Sequence, residues 1–590
     1  MTDIPLWEHR FRAPTVTFPS WARDASERLV YASNEPGAYQ VFVRSTTSPP
    51  RQVTDVAIGV SHGELTPDGE RVVWFDDTTG DEVGRWVTQP FAGGDTTPLE
   101  PNVPDGWSSG LVIGTHRTVV GVSDDASYRV YVDGRERHRH DEYVVVQALR
   151  RDDRVLVYAH AEHGDSMHKN LRAVDADTFT TIADLDDGAD CDLDAVAFSP
   201  IDGDDRVVVI GERTGLLRPS IWSPTTGERT ELALDELPGD VTAADWWPDA
   251  SALLLVHHHE GRDQLVRYDL ATNHAYAVAH TPGQIGGAAV RRDGDVWYAH
   301  SSGALPPTIR SASTGEEVLG PDDADPAPAG HPYRSWHFTN PHGDVVHGFV
   351  VEPAGDGPHP TVMLIHGGPH WQWFDGWRPE VPAWVDHGFA VALVNYRGST
   401  GYGPKWRDAL TGDPGFVELT DLVAGLDDLV AAGVTDPATV VLAGRSWGGY
   451  LTLLGLGLHP ERWAVGDAVV PVADYVAAYE DEAPGLKALD KMLFGGSPAD
   501  VPDLYEERSP ITYVDNVRAP VLIIAGDNDT RCPIRQILNY VGALAELDKP
   551  HRFHRYDAGH GSMVIDERVE HMRLELDFVL DALGRTTQAP

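Results

Sequence analysis

Short runs of β-branched and alternating apolar residues recur through the first half of the chain. RLVYAS begins at Arg28, RVVWFD at Arg71, RTVVGV at Arg117 and RVLVYA at Arg154; RVVVIG follows at Arg206, ALLLVH at Ala252 and DVWYAH at Asp295. Turn chemistry precedes several of them, as in Pro67-Asp68-Gly69, Asp202-Gly203-Asp204, Pro248-Asp249 and Asp293-Gly294. Second strands follow in places, such as YQVFVR from Tyr39 and QLVRYDL from Gln264. A period of roughly 40–50 residues with several short strands per unit is the pattern of a β-propeller blade. Seven anchors predict a seven-bladed β-propeller over residues 1–320. A pair of β-sandwiches is the competing arrangement, and the regular spacing argues against it.

The pattern changes after residue 320. Residues 321–330, PDDADPAPAG, are acidic and Pro-rich and read as a linker. Beyond it, over residues 331–590, buried-type strands alternate with helical stretches. TVMLIHGG (361–368) and AVALVNYRG (390–398) read as strands, and ELTDLVAGLDDLVAAGV (418–434) has a helical apolar period. VVLAG, AVVPV and VLIIAG follow, separated by further helical segments. Such alternation predicts a parallel sheet covered by helices on both faces.

Composition narrows the function. The hydrophobic fraction of 41% supports sizeable cores and excludes a mostly disordered chain. The net charge of −45 argues against nucleic acid as a partner, because a phosphate backbone needs a basic face. Lys is sparse and carboxylate is dense, a balance that fits a salt-adapted or high-GC source. Cys191 and Cys532 are too far apart in sequence to suggest a disulfide framework or a cysteine metal site. No basic-then-apolar leader opens the sequence and no apolar run reaches ~18 residues. A cytoplasmic location without membrane contact is therefore the default expectation; a homo-oligomer is left open. The histidine groups (His257-His258-His259, His138 with His140, and His160, His163 and His168) do not read as metal sites. Adjacent strand residues face opposite ways, Arg137 and Arg139 flank the second group, and no acidic partner stands at a recognisable metal spacing. No metal or other cofactor is expected.

The sharpest chemical signal is GRSWGGY, residues 444–450, which contains Gly444-x-Ser446-x-Gly448. A β-branched run precedes it and the helical stretch YLTLLGLGLHPERW follows, which is the strand–turn–helix setting of a nucleophile elbow. That turn would place the Ser446 hydroxyl at the positive end of a helix. A nucleophilic Ser needs a base, and the base an orienting carboxylate, here in the chain order Ser, acid, His. PVLIIAGDNDTRCP offers Asp527 and Asp529 just past a strand, and spacing does not choose between them. HRFHRYDAGHG offers His560 in the loop after a strand, whereas His551 and His554 lie within that strand. Two N–H donors would complete an oxyanion hole: that of Trp447, next to the nucleophile, and that of Gly368 in LIHGGP, since Pro369 has none. Trp447, Tyr475, Tyr479, Phe494 and Trp371 are aromatics that either line a specificity pocket or belong to the core.

In this order, HGGP, NYRGSTGYG (395–403), GRSWGGY, GDNDTRCP and AGHG resemble the prolyl oligopeptidase family of serine peptidases, and its acylaminoacyl-peptidase-like branch most. The resemblance implies an N-terminal β-propeller on a C-terminal α/β-hydrolase domain across essentially the whole chain. It implies Ser446 as nucleophile, His560 as base and Asp529 as acid, because the family's acid stands two positions before an Arg. That residue, Arg531, is implied to bind a substrate backbone carbonyl. Some branches place a Tyr hydroxyl where this chain has His366, so the hole is expected to rest on Gly368 and Trp447. The expected activity is hydrolysis of short peptides through an acyl-enzyme, of acylaminoacyl-peptidase or oligopeptidase/aminopeptidase type, with the propeller gating access. An esterase on the same machinery is the alternative. A dipeptidyl peptidase ranks lower, since its paired propeller carboxylates have no match, and an inactive binding protein is disfavoured by the intact motif set.

Overall fold

A computed structural model of the protein describes residues 4–321 and 326–585; residues 322–325 of the expected linker lie outside the described residues. From Ser20 to Leu319 the chain forms seven consecutive antiparallel meanders of four strands. Two of them share one sheet, joined by the pairs Val83↔Trp107 and Gly84↔Gly106. Each anchor run of the sequence is the second strand of its meander: Arg28–Ser33, Arg71–Asp76, Thr118–Asp124, Val155–His160, Val207–Gly211, Ala252–His259 and Val296–Ser301. Most of these strands are buried on both faces, Val155–His160 throughout, which is why they read as apolar runs; Val296–Ser301 alternates buried and half-buried positions. Successive sheets pack face to face, and the last packs on the first. Ile309 and Leu319 share a core with Val16, Leu29 and Tyr31, while Arg291 lies over the rings of Trp21 and Trp297. His257 and His259 share one face of their strand with rings 6.2 Å apart, and His258 turns to Asp263 on the other.

The second half builds one eight-stranded sheet in the order Arg334–Thr339, Val345–Val351, Ala390–Asn395, His359–Ile365, Thr435–Arg445, Val465–Val469, Val521–Gly526, His551–Tyr556. The sheet is mixed where the sequence predicts a parallel one. Val345–Val351 runs antiparallel to both neighbours, because a tight hairpin joins it to Arg334–Thr339. The other six strands are parallel. Their connections are helical crossovers, as parallel pairing requires. Phe416–Ala431, Trp447–Leu458 and Ile534–Glu546 bury one face of the sheet and Ile565–Ala582 the other.

The two halves interlock. A short helix, Leu6–Arg12, precedes the first meander but packs Trp7 and Phe11 among Trp384, Val569, Met572 and Leu576 of the second half. Arg407 forms a bidentate ion pair with the buried Glu212, and Arg262 reaches Asp375 at 3.0 Å and Ser335 at 2.6 Å. No helix among the described residues is long and apolar enough to cross a membrane.

A surface carrying a net −45 repels itself. Salt shortens the reach of that repulsion from ~10 Å at 0.1 M to ~3 Å at 1 M. Ion pairs weaken as well, but acidic residues outnumber basic ones 91 to 46. The melting temperature is therefore expected to rise between 0.1 M and 2 M sodium chloride; a flat or falling value would contradict salt adaptation.

Candidate active site

Ser446 stands between the strand Thr435–Arg445 and the helix Trp447–Leu458, with φ 58° and ψ −120°. This left-handed geometry is strained for a residue with a Cβ and is held by tight packing on either side. A Cβ on Gly444 would lie 2.5 Å from the Gly448 carbonyl carbon, and one on Gly448 would lie 2.3 Å from the Ile365 carbonyl oxygen. Only glycine fits these two positions, so the G-x-S-x-G spacing follows from sterics. The Ser446 N–H donates to the Val469 carbonyl at 2.9 Å, which fixes the turn to the neighbouring strand.

His560 follows the edge strand His551–Tyr556, and Asp529 follows Val521–Gly526. His560 Nδ1 lies 2.8 Å from Asp529 Oδ2. The other carboxylate oxygen of Asp529 accepts the N–H groups of Arg531 at 2.8 Å and Cys532 at 2.9 Å. Asp527 is elsewhere: it pairs with the Arg555 guanidinium at 2.7 Å on the surface. Of the two candidate acids, Asp529 alone meets His560.

Ser446, His560, Trp447 and Gly368 line a common cavity of about 320 Å³. The N–H of Trp447 sits at the first position of its helix, where no carbonyl four residues back is available to it. The Trp447 indole is anchored behind the cavity by a 3.0 Å hydrogen bond to Glu418. Glu418 is fully buried, accepts the Gly415 N–H at 2.7 Å, and is pushed up to about 8 by desolvation. Gly368, at φ 127°, belongs to the loop that closes the cavity on the other side. His366 is turned away: its ring stacks on Tyr396 at 4.1 Å and its Nε2 bonds the Ser399 hydroxyl at 2.9 Å. Burial pushes His366 down to about 3, so its ring is neutral.

The sequence motifs do not reveal what faces these residues from the first half of the chain. Arg531 forms a bidentate pair with Glu82 of the first half, at 3.0 and 2.6 Å. Thr530 donates to the Asp81 carbonyl and Asn528 to the Thr79 carbonyl, both at 3.0 Å. Backbones touch here, since a Cβ on Gly559 would come within 1.7 Å of the Gly80 oxygen. Trp107, Ser108, Tyr128 and Tyr143 of the meanders complete the cavity wall. Of the five aromatics singled out in the sequence, Trp447 and Tyr475 line this cavity. Phe494 stacks on Tyr505 at 4.2 Å in the core, Tyr479 packs edge-on against Tyr505, and Trp371 borders a neighbouring cavity.

Comparisons place this geometry among known proteins. Residues 373–586 match the model of the prolyl oligopeptidase family. The chain is 28% identical over 337 residues to the human acylamino-acid-releasing enzyme, covering 53% of this chain and 46% of that one. It is 31% identical over 239 residues to dipeptidyl peptidase family member 6 of Caenorhabditis elegans, covering 39% and 32%. The matches thus span about a third to a half of these relatives' length. Among solved structures, puromycin hydrolase superposes over 100% of this chain and 98% of its own with TM-score 0.83 at 21% identity. The acylaminoacyl peptidase of Pyrococcus horikoshii covers 99% and 98% with TM-score 0.72 at 16% identity. Likeness at these identities concerns the fold. The sequence match lies in the second half: residues 373–586 are similar to the prolyl oligopeptidase family, and the likeness of fold extends over the whole chain.

Proposed function

We propose that the protein is a peptidase that hydrolyses short peptides through an acyl-enzyme, with Ser446 as nucleophile, His560 as base and Asp529 as acid. The observation that carries this reading is the convergence of a strained Ser446, the His560–Asp529 contact of 2.8 Å and the Trp447 and Gly368 backbone on one cavity. His560 takes the Ser446 proton as Oγ attacks the scissile carbonyl, and Asp529 holds the imidazole in the tautomer that can do so. The oxyanion then sits between the N–H groups of Trp447 and Gly368. His560 returns the proton to the leaving amine, and water repeats the sequence to release the acid. Arg531 holds a backbone carbonyl of the substrate on the acyl side, and its pairing with Glu82 couples that site to the first half of the chain.

In the same reading, residues 1–320 form a seven-bladed β-propeller, 321–330 the linker and 331–590 an α/β-hydrolase domain on which the helix Leu6–Arg12 is packed. The seven meanders and the contact of the last sheet with the first support a closed ring. The ring caps the active site and admits substrates by size. Acylaminoacyl peptidase and puromycin hydrolase, which share the fold, make peptide-like amides the first substrates to test. Chromogenic amides and esters with free, acetylated or extended N-termini would establish the activity; hydrolysis of esters alone would replace the peptidase reading by an esterase one. Gating predicts that casein fragments are cut at rates falling steeply with length. A folded protein cut as fast as a decapeptide would remove the gate.

A further inference from the structure

Two carboxyl groups that the triad does not use line the cavity beside Ser446. Glu482 ends the helix Tyr475–Asp481 and Asp490 lies on the next helix, Pro484–Phe494. Both line the cavity, and both are 3% exposed. The two carboxyls lie close enough to share a proton. Neither Glu482 Oε1 nor Asp490 Oδ2 receives an N–H or hydroxyl donor from the protein. The cation whose field reaches Glu482 is Lys487, and its ammonium is turned to the Glu480 carbonyl at 3.3 Å. A separate group tells the same story: the Tyr475 hydroxyl, 1% exposed, lines the same cavity without a partner.

Unpartnered buried carboxyls are costly, and native structures hold few of them. Burial holds Asp490 up to about 7 and raises Glu482 well above the usual carboxylate range, so the empty pair keeps at least one proton at neutral pH. A bound cation would reverse that penalty, since a guanidinium brings five N–H donors and an ammonium three. Arg531, Glu82, Ser108, Ser109 and Ser123 also line the cavity, and Trp447, Val472, Leu486 and Leu489 supply apolar lining that would pack against the carbon atoms that carry such a head. Two buried carboxyls beside an apolar lining favour a positively charged group on an apolar stem.

Resting on the peptidase reading above, we propose that Glu482 and Asp490 form a specificity site that receives a cationic nitrogen of the substrate residue on the acyl side of the scissile bond. That nitrogen comes from an Arg or Lys side chain or from the α-ammonium of an N-terminal residue. Such a site works by difference. The neutral competitor leaves the two carboxyls unpaired in a cavity its own atoms have dried, and it is rejected on that account.

Three nitroanilides separate the cases: benzoyl-arginine, acetyl-leucine and free leucine, each assayed with the native protein and with Glu482→Gln/Asp490→Asn. Benzoyl-arginine or free leucine is expected to exceed acetyl-leucine at least 30-fold in kcat/KM, and the double variant should reduce that ratio to below 3. A fast benzoyl-arginine assigns the side chain as the source, and a fast free leucine assigns the α-ammonium. Acetyl-leucine hydrolysed as well as both, or a ratio that survives in the double variant, would overturn the proposal. The single variants, checked by thermal melting, guard against misfolding. Failure of the peptidase reading itself would appear as no turnover of any substrate and no fluorophosphonate label on Ser446. The site is then judged by calorimetry with benzamidine and leucinamide on Ser446→Ala. Binding of at least one, weakened tenfold or more by Glu482→Gln/Asp490→Asn, supports it; no binding of either refutes it.

Discussion

Ser446→Ala is expected to fold normally and to lose four to six orders of magnitude in kcat, since triad members act as a unit and removing the nucleophile costs about as much as removing all three. The change keeps a Cβ, so the elbow at φ 58° gains no new strain. No neighbour can substitute. Cys532 is the other nucleophilic atom within reach of Ser446, but burial and the carboxylates of Asp529 and Glu482 push its thiol well above the usual range. It stays protonated, and the thiolate is the reactive form. Steady-state assays on the cleanest chromogenic substrate, with circular dichroism as the folding control, test this directly. A fluorophosphonate should label Ser446 in the native protein and nothing in the variant. Residual turnover above one part in a hundred would mean that another group carries the chemistry.

What the sequence discloses about this fold depends on burial. The second strand of each meander lies between two neighbours and two sheet faces, so Val155–His160 is buried throughout and reads as a strand without ambiguity. The fourth strand faces solvent on its outer edge. Arg135–His140, Glu228–Glu231 and His274–Ala277 carry almost no apolar pattern, and the sequence gives no sign of them. The elbow is legible for the opposite reason: two glycines are imposed there by backbone contacts and leave a fixed spacing. The helix Leu6–Arg12 has seven residues, too few for a period to stand out, and its partners lie hundreds of positions away. The same distance hides Glu82 from Arg531. Glu482 and Asp490 sit in EDEAPGLKALD, whose dense charge gives no sign of burial. Their burial arises only when the two short helices Tyr475–Asp481 and Pro484–Phe494 pack into the fold. Pro484, at the start of the second helix, is the one local mark of that arrangement.

Asp529→Asn should reduce kcat by ~10⁴, and Asp527→Asn should leave it within threefold of native. The two residues are two positions apart in one loop, so the comparison isolates geometry from composition. Asp529 accepts three N–H groups, from His560, Arg531 and Cys532, and its side chain is fully shielded. An Asn there can keep its oxygen on the two backbone amides, but its NH₂ group then faces His560 Nδ1. That nitrogen must become the acceptor, which moves the ring proton to Nε2, where the Ser446 hydroxyl needs a free lone pair. The loop would be held and the base disabled, so kcat should fall with little change in melting temperature. The Asp527 side chain pairs with Arg555, the two side chains being 34% and 48% exposed, and an exposed pair of this kind contributes ~0–1 kcal/mol. Its loss touches neither His560 nor the cavity. Equal losses in the two variants, or a larger one at Asp527, would mean that the His560–Asp529 contact does not orient the base, and the acid would have to be sought elsewhere in the loop.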